Sequence, residues 1–564
     1  MITKNKPVIF LIIPLFLSAF THLWNVTGFP DQTSDDGTYI TRAIRIANGF
    51  GPQNGIIYDH PYFGQLFLAG IFKVIGFPNF LHIQSTDLND ITHSIEMLYS
   101  TPRVVMGLLA IVDTFLIYKI AEYRYNIKVA FFASILFAVS PYSWLYRRTY
   151  LDLLQAPFLL SSILFAVYPY IANYNNLRKG SSKNNHQNEN IIDMTKSSSI
   201  GNKKNILMVI LSGVFLGLAI FTKIPAITMI PMIGFLVYMN YRNSGISELH
   251  FSKNSNSRKS RTLFGSLSSF AQNKKLIVMG LWFIPVILIP AIWPASAISV
   301  GQFDDWMDGV THQATEREDS SSLLSVFFDV STIDPVLLLL GFAGIAYATI
   351  KRDFLFLLWV IPFLIFFYLI GHVTYNYTVP IWPAFCIAGA VLIVGLTNKI
   401  ISLSKNKKVV QILPFALISA IAVFGLVSTF TLISTNLTST QIKAAALVAQ
   451  KIMQQDKNSN DLTIISSGSY SWIFRYVLGV PYVFNNFYDN QPIAKKIILI
   501  TDGTFTRFLR GHSDKKSEQL QAIYAGTESI AKFKIKQQYD YDKYPNLNIK
   551  RSNKGFNIDV RSNY

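Results

Sequence analysis

The chain has 564 residues, of which 51% are hydrophobic, 14% aromatic and only 15% charged. A surface that meets water needs more polar side chains than this, so an ordinary soluble globular protein is excluded. The formal net charge is +18, but the basic residues lie mainly between apolar runs, which indicates membrane topology rather than nucleic-acid binding. The single cysteine, Cys386, excludes an intramolecular disulfide, and its apolar surroundings predict burial.

Apolar runs long enough to cross a bilayer recur over the first 433 residues and predict a polytopic α-helical membrane protein. The first run is predicted to be a retained span, because no clear small-x-small cleavage site follows it. The shorter apolar stretch 62–77 predicts an interfacial helix within the outer loop 25–97. We expect about eleven transmembrane helices, at residues 7–24, 98–118, 129–146, 151–172, 206–221, 225–240, 276–299, 334–350, 354–371, 378–397 and 409–433.

The charges of the connecting loops predict the orientation of the chain in a cell membrane. Loop 241–275 carries seven basic residues and one acid, and loop 173–205 is also basic, so both are predicted to be cytoplasmic, as is the N-terminus. Loop 300–334 carries eight acids and one arginine and is predicted to lie outside. The two basic loops are rich in Asn, Ser and Lys, which is typical of disordered, solvated segments.

The composition changes after residue 433 and predicts a second domain, 434–564, on the outer surface. DLTIISSG (461–468) and KKIILITDG (495–503) each have the pattern of a strand that ends in a glycine turn. Helical patterns lie between and after these strands. We therefore expect a small extracytoplasmic α/β domain after a transmembrane domain formed by residues 1–433.

Two adjacent carboxylates, Asp35 and Asp36, follow the first apolar run in the stretch TSDDGTYITRAIRIANG. Like charges in adjacent positions repel each other unless nearby groups use them. They are explained as a cap if a helix begins at Gly37 or Thr38, because carboxylates are favourable at a helix N-terminus. They are equally explained as catalytic groups, and the choice depends on the other polar residues at this membrane face.

Further polar residues interrupt the apolar pattern at the same predicted face. His60, in YDHPYFG, could ligate a metal or bind a phosphate. Arg148 and Asp152 have the i,i+4 spacing of a helical ion pair, yet Asp152 begins an apolar segment, where an ionisable residue is a candidate for a functional site. Lys223 either extends to the lipid headgroups or binds an anion. Tyr375 and Tyr377 fit an aromatic belt or a binding site equally well.

These carboxylates, cations and tyrosines all fall on the outer face in the predicted topology. Such a set suits an enzyme that acts on a phosphorylated lipid whose head faces outward, because nucleotide-linked donors are cytoplasmic. A divalent metal ion could assist, and Asp35, Asp152 and His60 are the candidate ligands, although no ligand spacing requires a metal. The acidic sequence FDDWMDG (303–309) could also hold a metal, but a solvated loop explains it as well.

The order of these motifs resembles that of the GT-C membrane glycosyltransferases, especially the protein O-mannosyltransferase and aminoarabinose-transferase group (glycosyltransferase family 39-like). The resemblance covers roughly residues 7–400, and the segments that carry it are SDDGTY, DHPYFGQLFLAG, TPRVVMGLLAIVDTFLIY, AVSPYSWLYRRTYLDLL, GLAIFTKIP and TYNYTVPIWPA. Asp36 stands where a Glu is commoner, and Tyr62 stands in place of a second proline. The resemblance does not extend to the C-terminal domain.

The resemblance implies a transferase that moves one sugar, mannose by analogy, from a polyprenyl or dolichyl phosphate to a hydroxyl of a protein or glycan acceptor. It implies that Asp35 is the catalytic carboxylate, that Asp152 helps to form the site, and that Arg148 and Lys223 face the donor phosphate. Two other classes stay open: a transporter or flippase of lipid-linked sugars, and a non-catalytic surface-assembly protein. Charges gathered at one face rather than at mid-membrane favour the transferase.

Overall fold

The computed structural model describes residues 6–53, 58–81, 85–181, 191–243, 263–316, 322–370, 373–403, 407–454, 461–485, 495–503, 505, 515–534 and 557–564. Helices dominate the first 433 residues. They are α1 (Lys6–Leu23), α2 (Ser34–Ala47), α3 (Phe63–Ile75), α4 (Leu88–Arg124), α5 (Ile127–Val139), α6 (Leu151–Ser181), α7 (Ile191–Thr222), α8 (Ile230–Asn243), α9 (Leu263–Ser299), α10 (Phe303–Thr311), α11 (Leu323–Ile333), α12 (Pro335–Ile350), α13 (Leu355–Ile370), α14 (Trp382–Leu403) and α15 (Lys407–Ile433).

Fewer helices than the sequence predicts are long enough to span a membrane. In the described parts of the chain, six helices are long and apolar enough to cross a membrane, or eight if each of two bent pairs counts as one span. Shorter apolar helices occupy several other predicted spans. The predicted span 129–146 is interrupted because α5 ends at Val139 and the chain turns by 70° into a 3-10 segment, Pro141–Arg147. The expected count of about eleven is therefore not confirmed.

Two predicted loops contain more helix than expected. Helix α6 continues to Ser181 and α7 already begins at Ile191, so much of the predicted loop 173–205 is helical. Helix α9 similarly begins at Leu263, within the predicted loop 241–275. The apolar pattern predicts only the part of a helix that lies in a bilayer. The helical backbone continues beyond it into polar sequence, so the loops were predicted too long. The remainders of the two loops, 182–190 and 244–262, lie outside the described residues.

The predicted acidic loop 300–334 also contains two helices. Helix α10 carries the FDDWMDG sequence, and Asp304 and Asp305 lie exposed in its first turn. Helix α11 is apolar and is bent by 119° from α12, with Asp334 at the joint. Asp334 Oδ1 accepts a hydrogen bond from Leu337 N at 3.0 Å and so caps α12. Part of this segment is therefore an apolar bent helix and not a solvated loop.

The two predicted strands of the C-terminal region belong to a mixed sheet that has five strands in the described residues. Its strands are β1 (Leu462–Ser466), β2 (Val483–Asn485), β3 (Lys496–Thr501), β4 (Glu528–Lys534) and β5 (Asn557–Ser562), in the order β2-β1-β3-β5-β4. Strand β1 is parallel to β2 and β3, whereas β5 is antiparallel to β3 and β4. Helices α16 (Thr438–Met453), α17 (Gly468–Trp472) and α18 (Lys515–Ala525) accompany the sheet.

The C-terminal region shares one hydrophobic core with three of the preceding helices. This core joins α2, α3 and the start of α4 to α16, α17 and the sheet. Ile44 of α2, Phe72 of α3, Leu98 of α4, Ile442 of α16 and Ile498 of β3 are fully or almost fully buried in it. Burial of such side chains stabilises an interface by roughly 1.5–3 kcal/mol each. Helix α2 is therefore packed against the α/β region along one face.

Candidate functional site

Helix α2 begins earlier than predicted, at Ser34 instead of Gly37 or Thr38. Thr33 is its N-cap: its hydroxyl accepts from the backbone N–H of Asp36, and the Asp36 carboxylate accepts from the backbone N–H of Thr33. This reciprocal pair is a capping box. Asp35 and Asp36 therefore lie inside the first helical turn, where the helix dipole favours negative charge. The cap explanation is correct for Asp36.

Asp36 is buried and its oxygens are occupied. Oδ2 accepts from Thr33 N and Thr33 Oγ1, each at 3.0 Å, and from Arg148 Nη1 at 3.1 Å. Oδ1 accepts from the backbone N–H of Thr149 at 2.6 Å. Four donors meet on one carboxylate that is 5% exposed, and they fix its orientation. This geometry suits an anchor of the helix.

Asp35 is exposed, although it is adjacent to Asp36. Successive residues of an α-helix are turned by about 100°, so two neighbours on α2 face different surroundings. The Asp35 carboxylate is close enough to raise the pKa of Tyr150, together with burial and the charge of Asp36. An exposed first-turn carboxylate beside a buried polar cluster is accessible to a molecule that docks at the end of α2.

Arg148 joins two carboxylates, neither of which is the predicted i,i+4 partner Asp152. Its Nη2 lies 2.9 Å from Asp31 Oδ1, and Nη1 donates to the Asp31 carbonyl oxygen at 2.8 Å and to Asp36. The guanidinium also lies over the Trp144 ring, 5.1 Å from its centroid. The ion-pair explanation for Arg148 and Asp152 is therefore wrong, and the sequence interpretation missed Asp31.

Arg147, the neighbour of Arg148, is fully buried and binds the backbone between α1 and α2. Its guanidinium donates to the carbonyl oxygens of Thr21, Trp24 and Phe29, at distances between 2.6 and 3.0 Å. These carbonyl groups have no helical partner at the end of α1, so the arginine satisfies them. The two arginines thus fix the segment that leads into α2.

A second ion pair joins the start of α6 to the residue that follows α7. Lys223 Nζ is 2.6 Å from Asp152 Oδ2, and both side chains are 7% exposed. The Lys223 ammonium also lies over the Tyr377 ring, 4.1 Å from its centroid. Gln155 donates hydrogen bonds to the backbone carbonyl oxygens of Ala219 and Lys223 and so fixes the last turn of α7. Lys223 is paired inside the protein and does not extend to lipid headgroups.

Tyr39 is a buried phenol on α2 that the sequence interpretation did not select. Burial raises the pKa of Tyr39 well above its usual value, and the charges of Asp35, Asp59 and Asp152 each raise it further. The Tyr39 ring is also 6.5 Å from the His60 ring. Asp35, Asp152 and His60 therefore all act on this one tyrosine.

The His60 segment is attached to α2 by a bidentate ion pair. Arg42 Nη1 and Nη2 donate to the two oxygens of Asp59, at 2.8 and 3.0 Å. Burial alone would raise the pKa of Asp59, but the Arg42 guanidinium and the neighbouring His60 lower it below its ordinary value. Arg42 thereby fixes the position of His60 relative to the first turn of α2.

Tyr150 and Tyr375 complete the polar cluster around Arg148. The Tyr150 hydroxyl is 2.9 Å from Thr33 Oγ1, and its ring lies 5.7 Å from the Arg148 guanidinium. Burial raises the pKa of Tyr150, the Arg148 charge lowers it, and Tyr375 is near enough to raise it. Tyr375 and Tyr377 belong to one 3-10 segment, Tyr375–Ile381, which therefore contacts both ion-pair clusters. Nearby His372 lies outside the described residues.

The candidate metal ligands do not form a preformed site. Within the described ranges, no three His, Cys, Asp or Glu side chains are grouped closely enough to hold a metal ion. Asp152 is engaged by Lys223, and His60 is beside the Arg42–Asp59 pair. A metal ion bound to Asp152 would have to displace the Lys223 ammonium from its close ion pair with that carboxylate. The side chains present do not fit a metal bound by Asp35, Asp152 and His60 together.

Taken together, the site has one exposed carboxylate, two buried cation–carboxylate clusters and several phenols. Such a set can accept a proton from a hydroxyl at Asp35 and can supply N–H donors to an anion at Lys223. All eight residues selected from the sequence lie in or beside this region. Asp31, Tyr39 and Tyr150 are the members that were not selected.

The fold is similar to that of solved membrane proteins. ArnT from Cupriavidus metallidurans bound to undecaprenyl phosphate matches 100% of this chain and 98% of its own, with a TM-score of 0.53 and 12% identity. The apo form of that protein matches 100% and 99%, with a TM-score of 0.49 and 11% identity. The Archaeoglobus fulgidus oligosaccharyltransferase tethered with an acceptor peptide matches 89% and 69%, with a TM-score of 0.46 and 12% identity.

Sequence comparisons add nothing to this structural likeness, since no protein-family model and no curated protein matches the chain. The match to ArnT with undecaprenyl phosphate spans almost the whole of both chains. At 12% identity it establishes the architecture of the chain. The chain therefore shares the fold of ArnT from Cupriavidus metallidurans, and this likeness agrees with the resemblance that the order of the sequence motifs indicates.

Proposed function

We propose that the chain is a membrane glycosyltransferase that moves a single sugar from a polyprenyl or dolichyl phosphate to an acceptor hydroxyl. The observation that carries this proposal is the contrast between exposed Asp35 and buried, fully bonded Asp36 at the start of α2. The bonds of Asp36 fix the first turn of the helix, and Asp35 is exposed on that fixed turn. An exposed carboxylate in a fixed position suits a general base. The fold shared with ArnT supports the choice, because the ArnT structure contains undecaprenyl phosphate.

In the proposed reaction, the Asp35 carboxylate takes the proton of the acceptor hydroxyl. The hydroxyl oxygen forms a bond to the anomeric carbon of the sugar, and the bond from that carbon to the phosphate oxygen breaks. The electron pair of the broken bond remains on the lipid phosphate, which leaves from the opposite side, so the configuration inverts. Asp36 and Arg148 act here as positioning residues that fix the first turn of α2.

Lys223 is proposed to bind the donor phosphate. A lysine ammonium has three N–H donors, and Asp152 takes one of them. A phosphate oxygen can accept a remaining donor while Asp152 and the Tyr377 ring hold the ammonium in place. Arg148 already donates to Asp31 and Asp36, so its role toward the phosphate is proposed to be indirect. His60 and Tyr375 are proposed to line the sugar site.

The finer assignments are proposals as well. The sugar is proposed to be mannose-like and the acceptor a protein or a glycan. We further propose that the N-terminus is cytoplasmic and that residues 434–564 form an extracytoplasmic domain attached to a transmembrane domain, 1–433, in the cell membrane. An acceptor hydroxyl would then meet Asp35 at the outer face, where the lipid phosphate ends.

The test is an assay of the purified protein in lipid nanodiscs with polyprenyl-phosphate mannose and other lipid-phosphate sugars, and with a peptide or glycan mixture as acceptor. We expect sugar transfer by the wild type and a loss of roughly 100-fold or more in Asp35→Asn, the usual scale for removing a general base. Asp304→Asn is the matched control, because Asp304 is also an exposed first-turn carboxylate. Movement of intact lipid-linked sugar across the membrane without transfer would instead identify a flippase.

A further inference from the structure

We propose that the C-terminal α/β region is a positioning element for the catalytic helix, and that Gln441 and Ser469 are its positioning residues. This inference rests on the proposed role of Asp35 as the base. It assigns to the region after residue 433 a task in the reaction: fixing where α2 begins. The argument concerns the backbone of Gln32, which directly precedes the N-cap Thr33.

The backbone of Gln32 is bound on both sides by the C-terminal region. Its N–H donates to Gln441 Oε1 at 2.7 Å, and its carbonyl oxygen accepts from Gln441 Nε2 at 2.8 Å. Ser469 Oγ donates to the same carbonyl oxygen at 2.9 Å. All three residues are buried. Net contributions of such bonds are modest, but a buried peptide group left without them is strongly disfavoured.

The Gln32 contacts control the position of Asp35 because the intervening chain is rigid. Thr33 is fixed by the capping box and by its contact with the Tyr150 hydroxyl. Asp35 follows two residues later in the first helical turn. A displacement of Gln32 therefore moves the start of α2 as a unit. Misplacing a catalytic group by about 1 Å can cost roughly 100-fold in rate.

Helix α2 is also in direct contact with the first residue of α17, the short helix that follows β1. A Cβ placed on Gly37 would collide with the carbonyl oxygen of Gly468, so the two backbones meet without side chains between them. Tyr99 of α4 donates to the carbonyl oxygen of Ser469, also in α17, at 3.0 Å. The start of α17 is therefore held between α4 and α2.

The location of this contact in the sheet is informative. Strand β1 has β2 as its parallel neighbour on one side and β3 on the other, so the strand order reverses at β1 and its carboxyl end lies at this switch point. In open α/β sheets this crevice is the usual place for a ligand. Here Gly468 and Ser469, directly after β1, contact α2 and Gln32 instead. The edge at which such sheets usually bind a ligand is therefore the edge that holds the helix with Asp35.

The test compares Ser469→Ala, Gln441→Ala and the double variant with two matched controls. Ser439→Ala removes an exposed hydroxyl that donates to Asn436 O, and Gln450→Ala removes an amide on the same helix that donates to Thr86 O. Three quantities are measured: affinity for undecaprenyl phosphate, single-turnover sugar transfer, and amide hydrogen exchange over residues 33–40.

We expect turnover to fall about 10-fold in each single variant and on the order of 100-fold in the double variant. Affinity for undecaprenyl phosphate should stay within about twofold of wild type, because Lys223 is untouched, and amides of 33–40 should exchange faster. The controls should match wild type in all three measurements. A loss of affinity equal to the loss of turnover would indicate general unfolding and would overturn the positioning role.

The outcomes separate this inference from the proposed function. Normal turnover in the double variant of an enzyme that transfers sugar would overturn the positioning role alone, as would a fall in turnover without faster exchange at 33–40. If the wild type transferred no sugar while Asp35 was intact, the proposed function itself would fail. Hydrogen exchange would then still decide whether Gln441 and Ser469 fix the start of α2.

Discussion

The guanidinium of Arg148 binds Asp36, with Nη1 3.1 Å from Oδ2, and the adjacent carboxylate Asp35 faces the surface. The two acids that adjoin in the sequence therefore have different surroundings. The Asp36 carboxylate accepts hydrogen bonds from four protein donors and is buried, whereas the Asp35 side chain is exposed to solvent. Adjacent like charges are tolerated here because the charge of Asp36 is offset by the Arg148 guanidinium and by the positive end of the α2 helix dipole.

We expect Asp36→Asn to act mainly on stability. An amide keeps one acceptor oxygen but turns an NH2 donor toward groups of Thr33, Arg148 or Thr149 that themselves donate. Breaking a buried ion pair in this way costs on the order of 3–5 kcal/mol of unfolding free energy. Denaturation in detergent, followed by intrinsic fluorescence, measures the loss, with the exposed substitution Asp35→Asn as the control. Equal stability of the two variants would contradict the anchor role of Asp36.

Lys223→Met is expected to weaken binding of undecaprenyl phosphate. One lost charge-assisted hydrogen bond corresponds to about 1.5–3 kcal/mol, or roughly 10- to 150-fold in dissociation constant. The variant also leaves Asp152 buried and unpaired, so stability falls. Adding Asp152→Leu should restore stability without restoring affinity. Lys119→Met is the control. It breaks the ion pair of Lys119 with Glu122, whose side chains are more exposed than those of Lys223 and Asp152. Full affinity in Lys223→Met would contradict its role toward the phosphate.

The overall fold could be predicted because long apolar runs and ordered motifs are local signals. The strands at 461–468 and 495–503 were found for the same reason, since each is a short apolar run before glycine. The true start of α2 was also available, because Thr33 and Asp36 have the three-residue spacing of a capping box. It was missed because the usual acid at the third helical position is Glu.

Other parts of the site depend on contacts that no local pattern contains. Asp31 is a single acid in a loop until Arg148, more than a hundred residues later, binds it. The bonds between Gln32 and Gln441 join residues separated by about four hundred positions, and uncharged amides give no signal in a charge pattern. Tyr39 is likewise one tyrosine among 28. Tertiary packing alone selects these residues.

The Arg42–Asp59 pair predicts a loss of stability in acid. The pKa of Asp59 is lowered in the folded protein relative to its ordinary value of about 3.9. The contribution of the pair is therefore fully present above that value and disappears as the pH falls through the folded pKa. Wild type should exceed Asp59→Asn in melting temperature at pH 6, and the difference should shrink below about pH 4. A difference that is independent of pH would contradict the ion pair.

The proposed topology has its own test. A protease cleavage site inserted after residue 440 should be cut when protease is added outside intact cells, because basic loops are retained inside the membrane. The same site inserted between residues 182 and 190, within the basic sequence segment 173–205, should be protected until the cells are opened. The reverse pattern would place Asp35 on the inner face and would contradict an outward-facing transferase.

Gly37→Ala is expected to separate α2 from the C-terminal region. The added methyl group would collide with the carbonyl oxygen of Gly468, which is backbone and cannot rotate away, so the helix must shift. We expect turnover to fall by roughly 100-fold, as for a displacement of a catalytic group by about 1 Å, because Asp35 moves with the helix. Gly70→Ala is the control: nothing lies near its Cβ, and alanine favours the helix by about 1 kcal/mol. Wild-type turnover in Gly37→Ala would mean that α2 is positioned without the α/β region.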